Sequence, residues 1–187
     1  MTAPPTLHVF TFRRGLLARF GHDLRLCVAR FELEVNGSSL AGRFETGSLR
    51  VDGAIKRGAL DPHGLSARDR AEIERAIAEE VLFSARFPTA TLAAEIEAVD
   101  ATRYALRGQL VLHGRSVRIA CAVEPSGERL VAELELVPSQ LGIAPYRALG
   151  GTLTLEDRVR IVASVPAAGV TAAGALSASL HARWTPS

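Results

Sequence analysis

The sequence has few cysteines and no long apolar run, and both absences exclude classes of protein. Cys27 and Cys121 are the only two cysteines in 187 residues, and they do not have the spacing of a metal site. In a reducing compartment we expect two free thiols in the core rather than a disulfide. No stretch approaches the roughly 20 apolar residues of a membrane helix. Residues 1–26 carry scattered arginines and no secretory signal pattern, so we expect a soluble, cytoplasmic protein without stable membrane insertion.

An excess of charge of one sign is also missing. The chain carries 22 basic and 20 acidic residues, a formal net charge of +2, which gives no electrostatic reason to expect a nucleic-acid partner. The glycine-rich phosphate loop, the G-x-S-x-G elbow and the helical H-E-x-x-H are absent from the sequence. The histidines are scattered without ligand spacing, although His8 and His22 could meet across strands. We therefore expect neither a metal nor a cofactor.

The best remaining candidate for catalysis is the pair His22 and Asp23. It could form half of a catalytic arrangement, but adjacent residues of a strand point to opposite faces. A structural role, in which one of the two bonds a nearby turn, is the favoured interpretation. We expect Cys121 to face inward and to be unreactive. These observations predict that the protein is not an enzyme.

The clearest pattern in the chain is the alternation of apolar and polar residues over residues 103–123, RYALRGQLVLHGRSVRIACAV. One face carries Tyr104, Leu106, Leu110 and other apolar residues, and the opposite face is polar. The alternation resumes after a turn at His113, which predicts a β-hairpin with one apolar face. Gly108 lies inside the first strand and indicates a bend or a close backbone approach.

Similar patterns predict a succession of strands with hairpin connections. A change of face near Ala29 indicates a β-bulge, and Asn36-Gly37 predicts a tight hairpin. One amphipathic helix is expected over residues 66–83, opened by a capping box of Ser66 and Asp69. The other expected strands cover residues 7–12, 24–35, 40–44, 47–54, 90–99, 129–137 and 152–165.

About eight strands with hairpin connections favour an antiparallel barrel, because closure removes the exposed edges of a sheet. Such a barrel either is filled by side chains or holds one small ligand. We expect the helix to flank or cap it. The predicted domain covers residues 1–166, and residues 167–187, which are rich in alanine, glycine and serine, are expected to be weakly ordered.

Five segments, in this order, resemble the YceI-like family, whose members are lipocalin-like, often bacterial, polyisoprenoid-binding proteins. They are RRGLLARFGHDLRL, VLFSARFPTATL, YALRGQLVLHGRSVRI, SQLGIAPYRALGGTL and LEDRVRIVASV. The resemblance implies an extended eight-stranded antiparallel β-barrel whose lumen takes a long isoprenoid or fatty chain. Phe87-Pro88 matches an F/Y-P element of the family. Many members are exported, whereas this sequence shows no signal.

The leading hypothesis is therefore a non-enzymatic binding or carrier protein for a polyisoprenoid or similar long-chain amphiphilic lipid. The alternative is a packed β-barrel that acts as a protein-interaction module without a lipid. A homodimer is left open. We expect Phe20, His22 and Arg14 at the mouth of the barrel, where the neighbouring arginines form either a solvated rim or a contact for a head group. The expected lumen residues are Leu24, Leu26, Leu106, Leu110, Ile119, Leu134 and Val159.

Overall fold

A computed structural model describes residues 4–14, 23–148, 153–167 and 177–183. Within these residues, thirteen strands belong to one antiparallel sheet. The strands are β1 (Thr6–Arg14), β2 (Asp23–Val28), β3 (Arg30–Asn36), β4 (Ser39–Glu45), β5 (Leu49–Lys56), β6 (Ala59–Asp61), β7 (Thr89–Ala98), β8 (Tyr104–Leu112), β9 (Arg115–Ser126), β10 (Arg129–Leu136), β11 (Arg147–Ala148), β12 (Leu153–Pro166) and β13 (Ser177–Arg183).

The strands follow the order β13-β3-β4-β7-β8-β9-β10-β12-β1-β2-β5-β6, and β11 pairs with β12. Within the described residues this order has two ends, and the sheet is curled as a half-barrel. The all-β antiparallel class is confirmed. The expectation of eight strands is wrong, because the expected strand over residues 24–35 is interrupted at Ala29 and the additional strands β6, β11 and β13 are present.

Two breaks between consecutive strands lie side by side in the sheet. Ala29 separates β2 from β3, and a short 3₁₀ turn, Thr46–Ser48, separates β4 from β5. Ser48 is fully buried and joins the two breaks. Its carbonyl oxygen accepts from the Ala29 N–H at 3.0 Å, and its Oγ accepts from the Arg30 N–H at 3.0 Å. The change of apolar face near Ala29 thus marks a break in the strand, and Ser48 of the neighbouring 3₁₀ turn stabilises that break.

Several neighbouring strands of the sheet are consecutive in the chain and are connected by hairpins. β3 pairs with β4 across Gly37, whose φ is +60°. β8 pairs with β9 across His113 and Gly114, whose φ values are +55° and +72°. In the β8–β9 turn both central residues have positive φ, which matches the twist of the flanking strands. Both hairpins were predicted, and both pairings are confirmed.

The helix lies along the free edge of β5. The predicted capping box is present at α1 (Ala67–Ala76), and a π-helical turn, Ile77–Val81, extends the helix. Arg70 Nη1 donates to the carbonyl oxygen of Val51 at 3.0 Å, and Glu74 Oε1 accepts from the Val51 N–H at 2.8 Å. β6 pairs only with residues 54–56 of that edge. The two side chains therefore satisfy edge groups that would otherwise be open to another strand.

The division at residue 166 stays a prediction. Within the expected tail, Ser177–Arg183 forms β13 and pairs with β3.

A close backbone approach at Gly108 is confirmed. Gly108 pairs with Ala94 of β7 and with Ile119 of β9, on the apolar face of the sheet. A Cβ atom at Gly108 would lie 2.4 Å from the Ala94 Cβ and 2.5 Å from the Ala93 carbonyl oxygen. Backbone atoms cannot move aside as the end of a flexible side chain can, so only glycine fits here.

We therefore expect Gly108→Ala to lower the free energy of unfolding by about 1–3 kcal/mol, the usual cost of overpacking. The matched control is Gly47→Ala, because a Cβ there meets nothing closer than the Ser84 Cβ at 3.7 Å. Urea unfolding followed by circular dichroism measures both variants. Equal stability of the two variants would contradict the steric interpretation.

Candidate functional site

The curled sheet and α1 surround a cavity of about 700 Å³. Its walls come from the apolar faces of the long strands, where alternate residues point inward. The lining is completed by residues 138–146 and by the apolar side of the helix, which includes Ile73, Ala76 and Ile77. Side chains of leucine, isoleucine, valine and alanine make up most of it. The volume lies in the usual range of ligand sites.

The seven residues expected in the lumen all line this cavity. They come from β2, β8, β9, β10 and β12, and each lies on the face of its strand that lines the cavity. Burial differs among them: Leu26 is 2% exposed, whereas Leu134 and Val159 are partly exposed. Their contact with a ligand stays a prediction. The seven are Leu24, Leu26, Leu106, Leu110, Ile119, Leu134 and Val159.

The three residues expected at the mouth are a different case. Phe20 and His22 lie outside the described residues. Arg14 is exposed at the end of β1, where it pairs in register with Thr154, and it does not belong to the cavity lining. Asp23 Oδ1 accepts from the Arg13 N–H at 3.0 Å. Asp23 therefore bonds the backbone, which agrees with the structural role preferred for it.

Sequence reasoning missed the contribution of two other segments. Ile73 and Ile77 of the helix reach the cavity, whereas the helix was expected only to flank or cap the barrel. Leu141 and Ile143 are 1% and 5% exposed and line the cavity from residues 138–146, for which the sequence predicted neither a strand nor a helix. A run of apolar residues in a proline-containing loop, SQLGIAPY, was the available signal.

Asp157 holds that segment against the sheet. One carboxylate oxygen accepts from the Ser139 N–H at 2.9 Å, and the other accepts from the Ser139 hydroxyl. Asp157 lies where the register of β12 against β1 shifts, between the pairs Thr11–Val159 and Arg13–Leu155. A carboxylate on a largely apolar strand is costly unless it is hydrogen-bonded, and Ser139 provides the hydrogen bonds.

Few polar side chains reach the cavity, and most of them lie towards α1. Glu45 pairs with Arg30 at 2.5 Å, and Glu156 pairs with Arg158 at 3.1 Å. Glu72 of α1 is exposed. Tyr146 lines the same end, and Tyr104 lines the opposite end. The cavity is thus an apolar space with a more polar end beside the helix. The polar residues of the lining are Thr11, Glu45, Thr46, Glu72, Tyr104, Tyr146 and Glu156.

A second group of polar side chains lies on the outer face of β1, β2 and β5. Asp52 Oδ2 lies 2.8 Å from Arg25 Nε and 3.4 Å from His8 Nε2. Burial lowers the pKa of His8, and the Asp52 charge opposes that effect only in part. Burial, together with Asp52, raises the pKa of the Cys27 thiol to about 12. A thiol in this environment stays protonated and is a poor nucleophile.

The predicted free thiols are confirmed, since neither cysteine forms a disulfide. Cys121 lines the cavity, as expected, and burial raises its thiol pKa. Among the described residues, no three His, Cys, Asp or Glu side chains are placed to hold a metal ion. The helices in the described part of the chain are too short or too polar to span a bilayer.

Comparison with known proteins supports the fold but gives no close relative. No protein-family model matches the chain, and no curated protein matches it. The crystal structure of Burkholderia cenocepacia BcnA is similar, with a TM-score of 0.58 and 12% sequence identity, over 86% of this chain and 94% of that one. The chain has a YceI-like fold. A Campylobacter jejuni YCEI protein aligns with a TM-score of 0.47 and 10% identity, over 83% of this chain and 82% of that one.

The YceI-like fold explains why one cavity collects residues from so many strands. Each long strand crosses the whole wall and contributes every second side chain. Short side chains on a curved sheet leave the centre unfilled.

Both thiols should react slowly in the folded protein. At pH 8 we expect the reaction of Cys27 with 5,5′-dithiobis(2-nitrobenzoate) to be at least tenfold slower than in 6 M guanidinium chloride, because the reactive thiolate is scarce at a pKa of about 12. Cys121→Ser isolates Cys27, and Cys27→Ser isolates Cys121. Rapid labelling of Cys27 in the folded protein would show that this thiol is neither buried nor protonated.

Proposed function

We propose that the protein is a non-enzymatic binding or carrier protein for a polyisoprenoid or a similar long-chain amphiphilic lipid. The observation that carries the proposal is the apolar cavity of about 700 Å³. A polar substrate would lose its hydrogen bonds with water on entering such a space, whereas a hydrocarbon chain would gain from it.

The energetics favour a long chain. Burial of each methylene-sized group contributes about 0.8 kcal/mol, so a few isoprene units supply several kcal/mol before the entropy cost of binding. Atoms that line an unfilled space lack dispersion contacts on that side. A flexible branched chain restores those contacts without requiring a rigid match of shape.

An unbroken wall around the chain would strengthen the binding. β4 pairs with β7 on one side of the sheet, and β2 pairs with β1 on the other. Residues 23–36 hold β2 and β3, and residues 39–56 hold β4 and β5. The two segments form one long hairpin, in which β3 pairs with β4 and β2 pairs with β5, and the hairpin is broken at Ala29 and at Thr46–Ser48. We infer that this broken hairpin bridges the two sides of the half-barrel and encloses the lumen.

The chemistry of the remaining groups fits binding rather than catalysis. The outer polar group around Asp52 lies on the opposite face of the sheet from the cavity, and the thiols are protonated. The cavity also disfavours the alternative of a packed β-barrel that acts as a protein-interaction module, because side chains would have to fill that space. A cytoplasmic location and a homodimer stay proposals from the sequence.

Native mass spectrometry of the freshly purified protein is the direct test. We expect an adduct at about one lipid per chain, which denaturing extraction then identifies as an isoprenoid or fatty amphiphile. A bare mass that does not change after incubation with isoprenoid alcohols and fatty acids would contradict the proposal.

Leu110→Lys should abolish lipid retention, because it places a charge in the apolar cavity. The matched control is Gln109→Lys, which places the same charge on the exposed face of the same strand. Lipid per chain is measured by native mass spectrometry, and circular dichroism reports folding.

A second variant covers the case in which Leu110→Lys does not fold. Ala132→Phe adds an apolar ring to the cavity wall and should reduce the lipid per chain without burying a charge. Full retention in folded Leu110→Lys and in Ala132→Phe would place the lipid elsewhere.

A further inference from the structure

One polar group in the cavity wall has no hydrogen-bonding partner. Among the described residues, three serine and threonine side chains are buried: Thr11, Thr46 and Ser48 are 9%, 4% and 0% exposed. The Thr46 hydroxyl donates to the Phe87 carbonyl oxygen at 2.6 Å, and the Ser48 hydroxyl donates to the Glu45 carbonyl oxygen at 2.7 Å. Thr11 Oγ1 has no partner. Two of these hydroxyls therefore serve the fold, and Thr11 does not.

The position of Thr11 shows where its hydroxyl could find a partner. Thr11 lies on β1 between Leu24 of β2 and Val159 of β12, and all three line the cavity. Both neighbours are aliphatic and offer no acceptor or donor. A buried hydroxyl without a partner is costly, and native proteins rarely retain one without a role. The cavity is the space from which a partner can come.

We propose that Thr11 is the polar anchor of the cavity and hydrogen-bonds an uncharged oxygen, a hydroxyl or carbonyl, on the head of the bound amphiphile. This inference rests on the proposed function and adds the position and the chemistry of the head group. A hydroxyl can both donate and accept, so it serves either kind of oxygen.

The charges around the cavity favour an uncharged head over a carboxylate or a phosphate. Glu72 and Glu156 line the same cavity, and in the described part of the chain no lysine or arginine does. An anionic head beside Thr11 would lose its hydration and face like charge, both of which oppose binding.

The same placement orients the chain. Thr11 lies near the end of β1 that pairs with the start of β12, whereas Leu7 pairs with Ala163 towards the other end. Leu7 and Leu130 line the cavity at that far end. The head therefore lies towards α1 and the segment 138–146, and the hydrocarbon tail runs towards Leu7 and Leu130.

The test compares a C20 isoprenoid alcohol with its parent hydrocarbon. Phytanol and phytane displace the uncharged dye N-phenyl-1-naphthylamine from lipid-free protein, and their dissociation constants are measured. We expect phytanol to bind the wild-type protein on the order of tenfold more tightly than phytane, the effect of one hydrogen bond to a group that is otherwise unpaired. Phytanic acid at pH 8 should bind more weakly than phytanol.

Thr11→Val keeps the shape of the side chain and removes the hydroxyl. We expect it to lose the preference for phytanol, because the buried alcohol then has no hydrogen-bonding partner. We also expect a higher melting temperature of the lipid-free protein, because an unpaired buried hydroxyl is lost. Thr11→Ser should restore the preference for phytanol. Tyr146→Phe removes another hydroxyl from the lining and should keep the preference.

The outcomes separate this inference from the proposed function. Equal binding of phytanol and phytane by the wild-type protein, or an unchanged preference in Thr11→Val, would overturn the role of Thr11 and leave the carrier function standing. A lower melting temperature of lipid-free Thr11→Val would also count against it, since the hydroxyl would then have a partner within the fold. Failure of every ligand to displace the dye would overturn the carrier function itself.

Discussion

Burial of one apolar face of a single antiparallel sheet is the constraint on which this structure depends. In the part of the chain that the structure describes, the sheet has no second layer of comparable size, and α1 lies along the edge of β5. A sheet in this position buries its apolar face by curling onto itself. The curl requires small residues on the inner face, and the contact between Gly108 and Ala94 meets that requirement in the middle of the wall. The cavity is the geometric consequence of the curl.

The edges and interruptions of the sheet are stabilised by side chains rather than by additional strands. Ser48 bonds the backbone at the break between β2 and β3, while Arg70 and Glu74 bond the free edge of β5. Asp157 likewise holds the segment that begins at Pro138 over one end of the cavity. In each place a hydrogen-bonding side chain supplies what the strand ladder does not, which allows the sheet to change direction without leaving buried backbone groups unpaired.

Two groups of polar residues differ in their surroundings, one on the outer face of the sheet and one in the cavity wall. The group around Asp52 on the outer face is internally paired, and burial together with Asp52 keeps Cys27 protonated. The lumen contains mostly hydrocarbon, with carboxylates near the helix. Thr11 stands apart, because its hydroxyl is buried in the wall and has no partner within the described chain. A lumen of this kind suits a ligand that is almost entirely apolar.

The sequence by itself determined the class of fold, both hairpins, the start of the helix and the face of each strand that points inward, because these depend on local periodicity and on turn and capping residues. The seven expected lumen residues lie on the cavity wall for that reason. The tertiary structure decided what local patterns do not contain. The bond that stabilises the break at Ala29 comes from Ser48, which is far away in the sequence. The cavity exists because the side chains of the curled wall do not fill its centre. The isolation of the Thr11 hydroxyl depends on its neighbours from β2 and β12. Alternation shows which side chains point inward, and only the packing of the whole sheet shows whether they meet.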